Sequence, residues 1–109
     1  MDNMLNSVLI EGQVTEVPNQ IIKDGLPYCS FGLKSYRVET DNANHQKRTQ
    51  TTLIVISTGR LAEMCLKFFK SGTAVRIVGR LVNDTNDSLA VIAEHVELKP
   101  VKKANEVAK

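Results

Sequence analysis

Apolar and polar residues alternate through Leu5–Val17, with Val8, Ile10, Gly12 and Val14 on one face and Leu9, Glu11, Gln13 and Thr15 on the other. That period of two marks a half-buried strand. Pro18 closes it, since proline cannot donate to a ladder, and Gly12 inside the run predicts a bend or a close backbone approach. After a turn signal at Lys23–Gly25, Pro27–Glu39 alternates again. Cys29, Phe31, Leu33 and Ser35 form one face, and Tyr28, Ser30, Gly32, Lys34 and Tyr36 the other. The polar stretch Thr40–Lys47 (TDNANHQK) predicts a hairpin tip reaching into solvent, and Arg48–Ser57 is the returning strand.

One segment carries a helical stripe. In GRLAEMCLKFFKSG, Leu61, Met64, Cys65 and Phe68 fall at i, i+3, i+4 and i+7. Glu63 near its start and Lys67 and Lys70 near its end suit the macrodipole, and Gly72 supplies a stop. Strands resume at Ala74–Asn83 and Ser88–Leu98, joined by a turn at Asp84–Asp87. The order of three strands, one helix and two strands predicts an all-β fold, a five-stranded Greek-key barrel of the oligonucleotide/oligosaccharide-binding type (OB-fold). Its single helix, between strands 3 and 4, would plug one end. Residues 1–100 form this domain and 101–109 a short polar tail.

Composition adds little to this frame until the charges are placed on it. The chain of 109 residues is 42% hydrophobic and 24% charged, ordinary for a globular domain. It has no apolar run of membrane-spanning length, and MDNMLNSVLIEG lacks a signal-peptide pattern, so a cytoplasmic protein without a membrane partner is expected. Cys29 and Cys65 form no metal-binding spacing and are expected as buried thiols rather than a disulfide. His45 lies in a polar loop and His95 alternates with acids, and no catalytic or cofactor motif is present, so neither an enzyme nor a cofactor is expected.

The cations are more informative. Lys34 and Tyr36 share the outer face of the second strand, with Arg37 beside them. Lys47 and Arg48 stand at the hairpin base, and GTAVRIVGRLVN places Arg76 and Arg80 on one face of the fourth strand. Two readings stand side by side: solvated faces with half-buried tyrosines, or a cationic groove that a phosphate backbone fills, with Tyr36 and Tyr28 as stacking rings. Leu9 on a polar face, and Ile54 and Ile56 on a strand apolar on both faces, predict an oligomer interface.

The opening NSVLIEGQVTEVP (Asn6–Pro18), the block GRLAEMCLKFFKSGTAVRIVGRL (Gly59–Leu81) and the closing VIAEHVELKP (Val91–Pro100) resemble, in register, the bacterial single-stranded DNA-binding proteins. The resemblance implies an oligomeric barrel, a dimer or tetramer, that holds single-stranded DNA in replication, repair and recombination. It also implies a nucleoid-associated location and contacts with replication proteins. The phosphate and base contacts would be Lys34, Tyr36, Arg37, Lys47, Arg48, Arg76 and Arg80. Positions where the family stacks bases on aromatic rings fall at Glu39, Thr52, Thr58 and Asn86, and a basic position falls at Ile54, so binding mainly through backbone charge is expected. The family's acidic, Phe-terminated tail has no counterpart before the final NEVAK. An alternative within the same fold is a protein-interaction barrel that resembles primosomal replication protein N.

Overall fold

The computed structural model describes residues 2–99, with the side chain of Lys23 left aside. The tail expected at 101–109 lies outside the described residues. Six strands and one helix follow in order: β1 Val8–Val14, β2 Asn19–Lys23, β3 Leu26–Thr40, β4 Gln46–Thr58, α1 Gly59–Phe68, β5 Ala74–Asn83 and β6 Leu89–Leu98. The sheet runs β1-β5-β6-β4-β3-β2, and β1 returns to pair with β3, which closes five of the strands into the expected barrel. The sixth, β2, was assigned no element from the sequence. It folds back on β3 across a two-residue turn, Asp24–Gly25, where both residues take positive φ (53° and 77°). That is the turn whose twist matches a hairpin.

Closure of the barrel is narrow. Only Gln13↔Lys34 and Val14↔Leu33 join β1 to β3, with the Thr15 N–H donating to the Gly32 carbonyl at 2.9 Å. Gly12 is what lets the strands meet, because a Cβ there would lie 2.5 Å from the Lys34 carbonyl oxygen. The close approach expected at Gly12 is thus the seam itself.

Inward-facing residues fill the cylinder. Val14, Cys29, Phe31, Leu33, Val55, Val75, Ile77, Val91 and Val96 are buried, and the alternation of β1, β3 and β5 is as the sequence predicts. Ser57 is the buried polar exception; its hydroxyl has no hydrogen-bond partner and sits with the Cys29 and Cys65 thiols. Burial raises both thiols, Cys65 to about 11. Both are free, as expected.

The helical stripe is rotated from the one expected. Ala62, Cys65 and Phe69 are buried, Leu61 and Met64 are half-buried, and Phe68 is 52% exposed. The reason is the helix end. The chain leaves α1 after Phe68, and Phe69, in an extended conformation, turns its ring edge-on to Phe31 at a centroid distance of 5.3 Å. The stop is therefore earlier than Gly72, which instead takes φ +90° in the following turn and donates to the Val14 carbonyl at 2.7 Å.

Beyond the seam, β3 and β4 continue as a two-stranded ribbon whose residues are largely exposed. The radius of gyration, 16.1 Å, exceeds the roughly 13 Å of a compact chain near 100 residues. The Asp41 carboxylate accepts the N–H groups of Ala43 and His45 at 2.8 Å and so holds the tip.

Gly12→Ala is expected to destabilise the fold by about 1–3 kcal/mol, the range for overpacking a filled site. A fall in the chemical-denaturation midpoint at unchanged slope would record it, and an unshifted midpoint would mean the seam is looser than described.

Candidate nucleic-acid interface

The pairing register decides which cations meet. On one face of the β3–β4 ribbon the opposed pairs are Lys34↔Thr52, Tyr36↔Gln50 and Val38↔Arg48; on the other they are Ser35↔Thr51, Arg37↔Thr49 and Glu39↔Lys47. Lys34, Tyr36 and Arg48 therefore share a face. Tyr36 and Arg48 are diagonal neighbours, within reach for long side chains, and the guanidinium lies 3.8 Å from the ring centroid. The Lys34 ammonium is 5.8 Å from the same ring. Such stacking fixes the orientation of the cation without neutralising it.

Arg37 and Lys47 project from the reverse face, where Glu39 stands opposite Lys47. Among the described residues, Lys34, Arg37, Lys47 and Arg48 form no ion pair. The ribbon thus presents positive charge on both faces, offset on the reverse face by Glu39, with Tyr36 on the Lys34 face. Lys34 and Tyr36 also border a shallow recess of about 270 Å³ whose other walls include Glu11, Gly12, Gln13 and Lys99.

Arg76 and Arg80 share the outer face of β5, as their spacing predicts, but neither is free. Arg76 lies 2.6 Å from Glu11 of β1 and 4.0 Å from Glu97 of β6, both opposite it in the ladder. Arg80 lies 2.8 Å from Glu94. Lys99 completes the network at 2.9 Å from Glu11. The positive charge of this strand is already matched by carboxylates on the strands beside it. The structure separates the expected cations into an open set on the ribbon and a paired set on the barrel wall.

The three residues expected at an interface also divide. Leu9, 71% exposed, stands on β1 beside Val78. Ile54 and Ile56 lie on the outer face of β4, next to Gly32 and Ser30 of β3. They floor a groove of about 550 Å³ with Ile21, Tyr28, Val82 and Ile92, walled on one side by Asn83–Asn86. Sequence reasoning singled out neither the groove nor the carboxylates that hold Arg76 and Arg80. Both require the cross-strand register, although the adjacent β-branched residues Ile21–Ile22 were a strand signal available in the sequence.

Among the described residues no group of three or more His, Cys, Asp or Glu side chains could hold a metal ion, and no helix is long and apolar enough to cross a membrane.

A closed five-strand cylinder plugged by one helix, with a basic ribbon extending β3 and β4, defines an OB-type barrel. The chain matches the single-strand binding protein family over residues 5–98 and belongs to that family. Solved structures of similar fold include a deletion mutant of the single-stranded DNA-binding protein from Thermus aquaticus, with TM-score 0.76 and 23% identity; the match covers 88% of this chain and 51% of that one. The small single-stranded DNA-binding protein from Streptomyces coelicolor aligns with TM-score 0.75 and 20% identity over 88% of this chain and 96% of that one. The Plasmodium falciparum SSB in complex with ssDNA aligns with TM-score 0.76 and 19% identity over 90% and 96%. The chain thus spans about half the length of the Thermus protein and nearly all of the other two. No curated protein matches it in sequence.

The Glu11 carboxyl is held below its usual range, first by hydrogen bonding to Lys99 and then by Arg76. A carboxylate whose pKa is lower folded than unfolded stabilises the fold above its unfolded value and loses that contribution as pH falls through the folded value. Thermal stability is therefore expected to drop on acidification below about pH 4.5, the ordinary glutamate value. Glu11→Gln should flatten that drop. Thermal melts of both proteins across an acid pH series provide the check, and parallel curves would rule the contribution out.

Proposed function

We propose that this protein binds single-stranded DNA through the β3–β4 ribbon, without catalysis and mainly by backbone charge, and acts in DNA replication, repair and recombination. The observation that carries the reading is the Lys34–Tyr36–Arg48 face, which sets two unpaired cations around one ring. Phosphates taken up there displace condensed counterions, and a base can stack against the Tyr36–Arg48 assembly. Arg37 and Lys47 add attraction from the reverse face. Arg76 and Arg80 contribute only where a phosphate replaces Glu11 or Glu94 as partner, an exchange that gives back much of its gain. The same reading places the protein in the cytoplasm, at the nucleoid, where replication proteins would be its neighbours.

Assembly into a homo-oligomer fits the same reading. Among the described residues, Val8–Gly12 of β1 pair with β5 on one side only, since the contact with β3 begins at Gln13. An unpaired strand edge carrying an exposed leucine is a template for another strand, and we assign Leu9 to that contact.

Lys34→Glu with Arg48→Glu is expected to weaken binding of a labelled dT oligomer at least about tenfold at low salt. It should also flatten the salt dependence by about 0.7 per lost phosphate contact. Arg76→Gln with Arg80→Gln should change both quantities less. Fluorescence anisotropy over a salt series reads both, and a larger effect from the β5 pair would move the site off the ribbon. Leu9→Glu is expected to lower the mass measured by light scattering, whereas a mass that is unchanged by the substitution would exclude the β1 edge.

A further inference from the structure

The recess of about 270 Å³ beside the seam is where the open and the matched cations meet. Lys34 borders it from the ribbon, with its ammonium 5.8 Å from the Tyr36 ring and in no ion pair among the described residues. Lys99 borders it from the wall, 2.9 Å from Glu11, which also lines the opening. The register explains the meeting. Gln13 pairs with Lys34 of β3 on one side and with Ala74 of β5 on the other, and the Lys99 N–H donates to the Ala74 carbonyl at 2.9 Å. Lys34, Gln13, Ala74 and Lys99 therefore form one row across the sheet. Glu11 stands two positions along β1 from Gln13, on the same outer face.

Both oxygens of Glu11 are engaged. One accepts from the Lys99 ammonium at 2.9 Å, and the other accepts from Arg76, whose Nε lies 2.8 Å away and Nη2 2.6 Å. Two anionic oxygens, each held by a separate cation, are also how a phosphate group is bound. Glu11 thus fills, from within the chain, the place of an external anion. The three side chains are 40%, 45% and 37% exposed for Glu11, Arg76 and Lys99, so these pairs are open to solvent and individually weak. A phosphate entering from Lys34 meets a like charge in Glu11. With that charge removed, the same phosphate meets Lys34 and Lys99, with Arg76 behind them. Arg76 keeps Glu97 at 4.0 Å, itself 3.5 Å from His95, so the change is read most directly at Lys99.

We propose that this recess is a seat for one phosphate group of a bound single strand, carrying its path from Lys34 on the ribbon to Lys99 on the wall, and that Glu11 weakens the seat as a built-in competitor. The proposal rests on the reading of the Lys34 face as the DNA-binding face, and it adds the residue that limits how far the strand extends. Self-assembly at the β1 edge draws on the main-chain groups of Val8–Gly12, whereas the Glu11 side chain is held on the outer face by Arg76 and Lys99.

The test uses the full chain. Glu11→Gln keeps the length of the side chain and one oxygen while removing the charge. It is expected to tighten binding of a labelled dT oligomer about threefold or more at low salt, and to steepen the salt dependence by about 0.7, the value for one phosphate contact on a single strand. Glu63→Gln, on the exposed side of α1, makes the same change in net charge far from the recess and is expected to alter binding by less than about twofold. Lys99→Gln is expected to cost several-fold more in the Glu11→Gln protein than in the wild type. Amide NMR supplies a probe independent of DNA and reports whether each variant is folded. Inorganic pyrophosphate should shift the Gly12, Gln13, Ala74 and Lys99 amides of the Glu11→Gln protein and leave those of the wild type in place. Equal effects of Glu11→Gln and Glu63→Gln, the same Lys99→Gln cost in both backgrounds, or no pyrophosphate shifts in the recess of the Glu11→Gln protein would overturn the proposal. Recess shifts with pyrophosphate in a protein whose ribbon amides ignore the dT oligomer would uphold the anion seat and count against the DNA reading.

Discussion

Closure at a two-pair seam is the constraint on which the rest of the molecule depends. β1 reaches β3 only at Gln13 and Val14, and it can do so because Gly12 leaves room for the Lys34 carbonyl. Before the seam, β3 and β4 are walls of the cylinder, with Phe31, Leu33 and Val55 turned into its core. Past the seam the same two strands have no inner volume to enclose and run on as a ribbon. Lys34 sits at that transition, held by the closure, and Tyr36 and Arg48 follow two and four positions along the same face.

Charge is distributed according to the number of neighbours each strand has. β5 pairs with β6 from Val75 to Asn83 and with β1 from Ala74 to Gly79, so Arg76 meets Glu11 and Glu97 from both sides while Arg80 meets Glu94 of β6. Past Lys34, which still meets Gln13 of β1, each strand of the ribbon has one neighbour among the described residues, and Arg37, Lys47 and Arg48 form no ion pair there. A net charge of only +2 is therefore compatible with a locally basic surface. Pairing on the wall matches the charges there and leaves the excess on the arm. Exposed ion pairs of this kind contribute little stability one at a time, and their larger effect here is to neutralise a face.

The barrel's outer surface consequently divides into three regions of different character: a basic ribbon, a charge-neutral wall over β1, β5 and β6, and an aliphatic groove beside β2 with a single carboxylate. Few aromatic rings are exposed. Tyr36 is spent on ordering a guanidinium and Tyr28 is half-buried in the groove. The apolar outer positions beside the groove are aliphatic, Ile21, Ile54, Ile56 and Ile92, and the ribbon carries the cations.

Period-two alternation was enough to locate β1 and β3 and to say which of their residues face inward, because a strand buried on one side imposes that pattern on its sequence; β4, apolar on both faces, β5 and β6 were legible as strands, with a face assigned only to the arginines of β5. It also marked Gly12 as a place of close approach. The helix was visible, but its buried stripe was displaced onto Phe69, since the stripe depends on where the helix stops and what the departing chain packs against. Strand β2 escaped notice because Asn19, Gln20, Ile21 and Ile22 are all exposed and have no buried face to create a pattern. The cations were legible as residues but not as a site. Lys34, Tyr36 and Arg48 are joined, and Arg76 and Arg80 neutralised, by pairings between strands distant in sequence, such as Glu11↔Arg76. Sequence determines which face a side chain takes on its own strand; only the closed sheet decides which charges stand across from it.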